Sequence, residues 1–180
     1  MRSVLVPLLV AAAACQPPPP RAEPPADRPR YVVRVRVSRP FRIVTGDLRV
    51  TFTPNRPTDR LVFRLWPNGP PQLEAGSRLE VGAVKEGATE LDVARPNPTT
   101  LDVALGRELV PGTSVTVQLP WRLHMPRSHL DRIARFPDGL RLGTFMPLLA
   151  WDPRRGWVTE RAARILAESA TTPTADFDLR

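Results

Sequence analysis

From Tyr31 onward, apolar and polar residues alternate at every second position, and proline or glycine breaks the alternation at short intervals. Period two belongs to a half-buried β-strand, whose successive side chains point to opposite faces. Tyr31, Val33, Val35 and Val37 share one face, with Arg34 and Arg36 on the other. Residues 47–53 alternate in the same way, and residues 61–66 are more continuously apolar. Between them, Pro54, Asn55, Pro57 and Asp59 carry turn chemistry, which predicts that the two flanking strands pair as neighbours. Further strands are predicted over 79–84, 90–93, 100–105 and 114–123, and Pro111-Gly112 is the clearest turn.

No stretch before residue 158 keeps apolar residues at helical spacing for three turns. Residues 160–169, with Ala162, Ala163, Leu166 and Glu168, are good helix formers and predict one short helix, halted before Pro173. The expected fold class is therefore all-β, an antiparallel β-sandwich or saddle-like sheet domain over residues 30–180. A chain of 180 residues has room for one such core and little room for a second, catalytic domain.

The N-terminus has a different character. Met1-Arg2-Ser3 supplies a short positive region ahead of the apolar run Val4 to Ala14. As a helix, that run reaches about 16 Å at ~1.5 Å per residue, half of a ~30 Å hydrocarbon core, so residues 1–14 read as a signal peptide rather than a span. Ala12-Ala13-Ala14-Cys15 resembles the bacterial lipobox, in which small residues precede a cysteine that is lipidated on sulfur and becomes the mature N-terminus. Ala12 stands where leucine is commonest, and ordinary cleavage after an Ala-x-Ala pair is the alternative. Residues 15–29 then form a proline-rich tether. In polyproline II at ~3.1 Å per residue it would hold a folded domain about 40 Å from a membrane. The expected location is extracytoplasmic, with the lipid on Cys15 as the bond to a bacterial membrane.

Charge and cysteine content remove several functions. The net charge of +8 is carried almost wholly by arginine, with Lys85 the single lysine, and it is scattered. Nucleic-acid binding modules gather such charge on one face or interleave it with stacking aromatics, so no nucleic-acid partner is expected. Cys15 is the single cysteine, which excludes an internal disulfide and a cysteine-based zinc cluster.

Individual chemistries fare no better. His124 and His129 lie five residues apart with Pro126 between them, against a helix that would align both rings. Together with Asp131 they form a candidate loop metal site, the plainer reading being surface histidines. Ser114, Ser128 and Ser169 lack a G-x-S-x-G setting, and no phosphate loop is present. Trp66, Trp121, Trp151 and Trp157 offer either an aromatic binding shelf or filling for a sandwich core. The segment from Asp152 to Gly156 reads as an exposed turn whose Arg154 and Arg155 are able to grip a carboxylate.

The order of four segments does point to a family. Residues 46–53, then Phe63-Arg64-Leu65-Trp66-Pro67-Asn68, then Leu109-Val110-Pro111-Gly112, then residues 142–151 with Met146-Pro147-Leu148-Leu149-Ala150-Trp151, resemble the N-terminal β domain of aminopeptidase N-like zinc metallopeptidases, the gluzincins. The resemblance spans most of residues 31–180. It implies a saddle-like sheet domain ahead of a catalytic domain, and a β domain that continues beyond Arg180, because Ala175 to Leu179 is similar to the family's next strand. The family's catalytic machinery is not in this chain. Neither histidine starts an H-E-x-x-H motif, so zinc is implied only for the missing catalytic domain, no cofactor is expected here, and no residue is assigned a catalytic or metal-binding role.

Glu160, in the context Thr159-Glu160, is the nearest match to the family's contact with a substrate α-amine, with Arg161 in place of the expected proline. A glutamate at a helix start is the plainer reading. The chain thus reads as a lipoprotein-type, truncated or split member of the family, supporting or capping a catalytic domain and expected to hydrolyse no peptide alone. Its partners would be the membrane, that catalytic domain or an envelope protein, and a peptide substrate only through the resemblance. The alternative is a stand-alone envelope lipoprotein acting as a peptide- or protein-binding β-sandwich module.

Overall fold

A computed structural model describes residues 27–127, 132–164 and 172–180. In chain order the elements are β1 (Arg30–Val37), β2 (Ile43–Phe52), β3 (Thr58–Arg64), a 3-10 turn (Trp66–Asn68), α1 (Pro70–Glu74), β4 (Arg78–Val81), β5 (Lys85–Glu86), β6 (Thr89–Glu90), β7 (Val93–Asn97) and β8 (Thr100–Leu109). There follow β9 (Val115–His124), β10 (Ile133–Arg135), β11 (Leu140–Leu142), β12 (Leu148–Leu149), β13 (Trp151–Asp152), β14 (Gly156–Trp157) and β15 (Asp176–Leu179).

The strands form two main sheets. The larger runs β15-β1-β2-β9-β5-β6, with β4 also paired to β9, and the smaller runs β12-β3-β8-β7. Pairing is antiparallel except where β15 lies parallel to β1. The period-two segments give one buried face each. Val44, Leu48, Val50 and Phe52 of β2 and Val115, Val117, Leu119, Trp121 and Leu123 of β9 all face the core. There they join Leu61 and Phe63 of β3 and Leu101, Val103 and Leu105 of β8, so the core lies between the two sheets. The all-β class and antiparallel sheets match the expectation from the sequence.

One expectation about pairing is overturned. β2 and β3 are not neighbours: β2 is flanked by β1 and β9, while β3 lies between β12 and β8 in the other sheet. Both hydrogen-bonding edges of β2 are taken. Leu61, Val62, Phe63 and Arg64 are all buried, so β3 needs cover on both faces and a central place in its sheet. Residues 54–57 are therefore an arch between sheets rather than a hairpin. The Pro111-Gly112 turn is a second arch, from β8 to β9. The two arches are joined where the Gly112 N–H donates to the Pro54 carbonyl at 3.0 Å and the Thr53 and Ser114 hydroxyls share a hydrogen bond of 2.8 Å. Gly112 has φ +82, a left-handed conformation that glycine adopts without strain.

The helix expected over residues 160–169 falls only partly on described residues. Residues 160–164 are not helical, and the remainder of 160–169 lies outside the described residues. A helix not expected from the sequence, α1, forms where Pro70 and Pro71 open a turn, since proline fits a first helical turn whose N–H groups lack partners anyway. It closes at Gly76, φ +85, with the Ser77 N–H on the Gln72 carbonyl.

Two details set the spacing of the layers. Trp121 crosses Gly46, where any Cβ would overlap both its ring and the Arg34 carbonyl. Tyr31, on β1, reaches across to accept the Leu149 N–H of β12 at 3.0 Å, and burial pushes its hydroxyl pKa far above the ordinary value, against the smaller opposing effect of that hydrogen bond. A raised folded pKa stabilises the fold fully below the unfolded value of about 10, and that contribution is lost as the pH rises beyond it. Tyr31 is the single tyrosine, so ultraviolet titration of tyrosinate reads this group alone. We expect no tyrosinate signal until the fold opens. Tyr31→Phe should remove the alkaline sensitivity and cost about 1–3 kcal/mol by stranding the Leu149 N–H. Tyrosinate appearing at ordinary pH in the folded protein would contradict the assignment.

Candidate functional site

Nine consecutive residues, from Leu61 to Gly69, are buried, and they contain the Phe63-Arg64-Leu65-Trp66-Pro67-Asn68 segment. Phe63 and Leu65 enter the core. Strand alternation turns Arg64 to the other face of the small sheet, where its side chain is only 2% exposed. Its Nη1 donates to Thr100 Oγ1 at 2.7 Å, its Nη2 lies 3.8 Å from Glu160 Oε2, and its guanidinium sits 6.0 Å from the centre of the Trp66 ring. Nε has no partner. Burial lowers the Arg64 pKa and the Glu160 charge opposes that shift, yet an arginine stays protonated throughout the physiological range.

Asn68 closes the same segment. Its Nδ2 donates to the carbonyls of Leu79, at 2.9 Å, and Pro98, at 3.1 Å, while its Oδ1 accepts the Leu79 N–H at 2.6 Å. One buried amide thereby ties the 3-10 turn to β4 and to the β7–β8 connection. Beside it lies a cleft of about 290 Å³ bordered by Pro70, Leu73, Glu74, Thr99, Arg161 and Ala162.

Glu160, the residue that the resemblance marks for an α-amine, precedes two residues of this cleft wall. Its carboxylate accepts Arg155 Nη2 at 3.1 Å in addition to facing Arg64. Two guanidiniums thus compete with any incoming ammonium. Asp152 Oδ1 accepts the backbone N–H groups of Arg154 and Arg155, so the Asp152 to Gly156 segment is the expected exposed turn.

His124 stands 3.6 Å from Glu80 across the β4–β9 pairing. His129 and Asp131 lie outside the described residues, as does Cys15. Among the described residues, no three histidine, cysteine, aspartate or glutamate side chains gather where they could hold a metal ion. The tryptophans are core filling rather than a shelf. Trp66, Trp121 and Trp151 are buried, and Trp151 packs edge-on against both Trp157, at 4.7 Å, and Phe52, at 5.3 Å. Sequence reasoning did not single out the Arg64 and Asn68 side chains. The available sign was an arginine inside an otherwise continuous apolar run, where solvent is out of reach.

No protein-family model and no curated protein sequence matches the chain. Among solved structures, it is similar to an M1 zinc metallopeptidase from Deinococcus radiodurans, at 21% identity and TM-score 0.45, over 55% of this chain and 20% of that one. A variant of that enzyme bound to a Tyr-Ser-Ala substrate gives the same identity and score over 57% and 21%. A two-domain M1 zinc metallopeptidase variant bound to L-tryptophan gives 20% identity and TM-score 0.46 over 63% and 23%. The chain thus spans about a fifth of the length of these metallopeptidases.

The polar cluster makes a direct prediction. Thr100→Val, which keeps shape but removes the closest acceptor from a buried cation, should cost about 1–3 kcal/mol. Glu160→Gln should cost less, about 1 kcal/mol, because its carboxylate is solvent-screened. Urea unfolding of both variants checks the order; a larger loss for Glu160→Gln would mean that the ion pair, not the hydroxyl, holds Arg64.

Proposed function

We propose that this chain is the non-catalytic β domain of a membrane-anchored metallopeptidase of the aminopeptidase N type, supporting or capping a zinc-bearing catalytic domain. The observation that carries the reading is the outer edge of β15. By register, Phe177 stands beside Tyr31 and Leu179 beside Val33, so both belong to the apolar inner face of the large sheet. Phe177 stacks on Tyr31 at 4.7 Å, yet it remains 48% exposed and Leu179 62% exposed. The Asp176 N–H bonds to Pro29, just before β1, and the Arg180 N–H to Val33 of β1, which turns the backbone groups of Phe177 and Leu179 toward the sheet edge, where no described strand pairs with β15. An apolar strip beside unpaired strand edge calls for another surface.

The sequence segments shared in order with the family support the choice of that surface. In this structure those segments build sheets, arches and core, which is a scaffold's work. Zinc, the water it activates and peptide hydrolysis belong on this reading to the other domain. Lipid on Cys15 and the proline-rich tether would keep the pair at the outer face of a membrane.

The test is direct. The coding sequence following the Arg180 codon is read for a frame that resumes the β domain and reaches H-E-x-x-H, and the encoded catalytic domain is mixed with this chain. We expect association and no peptidase activity from this chain alone. Phe177→Ser with Leu179→Ser should weaken association about tenfold or more, with the thermal midpoint lowered only modestly by loss of the Phe177–Tyr31 stack. Absence of such a frame, or association indifferent to both substitutions, would overturn the reading and favour a stand-alone binding module.

A further inference from the structure

The large sheet turns one face to the core and the other to solvent. On its three central strands, β1, β2 and β9, the outer face carries five arginines, Arg30, Arg34, Arg36, Arg49 and Arg122, and a single acid, Asp47. Strand alternation sends all six outward, between the buried residues that fill the core. Register sets them side by side. Arg34 stands opposite Asp47, Arg36 opposite Thr45, and Thr45 opposite Arg122 of β9, while Arg49 lies between Val32 and Gln118. Asp47 is 3.5 Å from Arg36, and Arg34, Arg49 and Arg122 form no ion pair with another described residue.

The flanking strands are closer to balance. On the β15 side Arg28 pairs with Asp176 and Arg180 with Asp178. On the other side β4 holds both Arg78 and Glu80, and Lys85 stands opposite Glu90. The outer face of the small sheet is compensated too, with Arg60 on Asp102 and Arg64 near Glu160. The positive excess is therefore concentrated at the centre of one sheet. That centre is also low. Thr45, Thr51, Thr116 and Pro120 are short, and a shallow depression of about 540 Å³ is bordered by Arg36, Asp47, Pro120 and Arg122. Long arginine side chains above short neighbours can reach one plane together.

From this arrangement we propose that the outer face of the large sheet docks on a bilayer rich in anionic phospholipid headgroups. A broad array of cations suits an extended surface of opposite charge, where each headgroup phosphate meets the guanidinium nearest to it. Single-stranded nucleic acid would call for stacking aromatics, and the outward positions of β1, β2 and β9 hold no phenylalanine, tyrosine or tryptophan. The attachment of the N-terminal segment fits the same orientation. Residues 1–26 join the domain at Asp27, directly before Arg28 and β1, so they enter at one end of this sheet. A lipid on Cys15 would deliver the face to a bilayer, but the attraction rests on the sheet alone and is independent of the metallopeptidase reading.

Co-sedimentation of the full chain, carrying Cys15→Ser so that no lipid is attached, tests it against two kinds of vesicle. One is phosphatidylcholine alone, and the other is phosphatidylcholine with about 30% phosphatidylglycerol. Preferential binding to the anionic vesicles is expected at low salt, falling as salt screens the charges. Arg34→Gln with Arg49→Gln and Arg122→Gln should weaken it about tenfold or more, and Asp47→Asn should tighten it about twofold or more. Arg56→Gln with Arg154→Gln and Arg161→Gln removes equal charge elsewhere and should leave the affinity within about threefold. The three arginines of the face are exposed, so an unchanged thermal midpoint will show that the fold survives; if the midpoint falls, Asp47→Asn decides alone. No preference for anionic vesicles, equal loss in the two triple variants, no gain from Asp47→Asn, or equally tight binding of a single-stranded oligonucleotide would overturn the proposal.

Discussion

A guanidinium withdrawn from water sets the terms for the smaller sheet. Moving a charge into a protein interior is costly unless hydrogen bonds and an opposite charge meet it there, and Arg64 meets one hydroxyl, one distant carboxylate and one aromatic face. Each of those partners comes from a different part of the chain: Thr100 from β8, Glu160 from the segment beyond β14, and Trp66 from the turn that follows β3. The burial of one side chain therefore requires that the sheet register, the covering segment and the turn all be in place. Asn68 imposes the same condition four residues further along the chain, since its buried amide is satisfied only when β4 and the β7–β8 connection approach together. Polar groups of this kind are poor sources of net stability, but they penalise alternative packings heavily.

Much of the strand content was legible because a half-buried strand writes its burial into every second residue. β1, β2, β8 and β9 follow that rule, and their predicted segments fall within or beside the observed strands. Partnership was less legible. Pro54 to Pro57 has the composition of a hairpin turn, and nothing local tells an arch between sheets from a hairpin within one; the difference is written in the continuous apolar run that follows, which demands cover on both faces. α1 was hidden for a related reason: Pro70 and Pro71 look like breakers, although proline is well suited to the first turn of a helix.

The candidate site divides in the same way. The Phe63 to Asn68 segment stood out as a motif, but the physical meaning of its Arg and Asn depends on distant partners, Thr100 for Arg64 and Pro98 for Asn68, 36 and 30 residues away, which periodicity does not encode. Glu160 stood out through its neighbours in sequence and is found facing two arginines rather than open solvent alone.

The parallel pairing of β1 with β15 has a mechanical consequence. A pull applied at Asp27 and at Arg180 enters neighbouring strands that run in the same direction, at opposite ends of their shared ladder. Force along that line shears the ladder, loading its hydrogen bonds together instead of opening them one after another. The Tyr31–Phe177 stack and the Arg28–Asp176 ion pair, at 2.5 Å, lie on the same seam and share the load. The edge that leaves Phe177 and Leu179 exposed is thus also one arranged to resist being drawn apart.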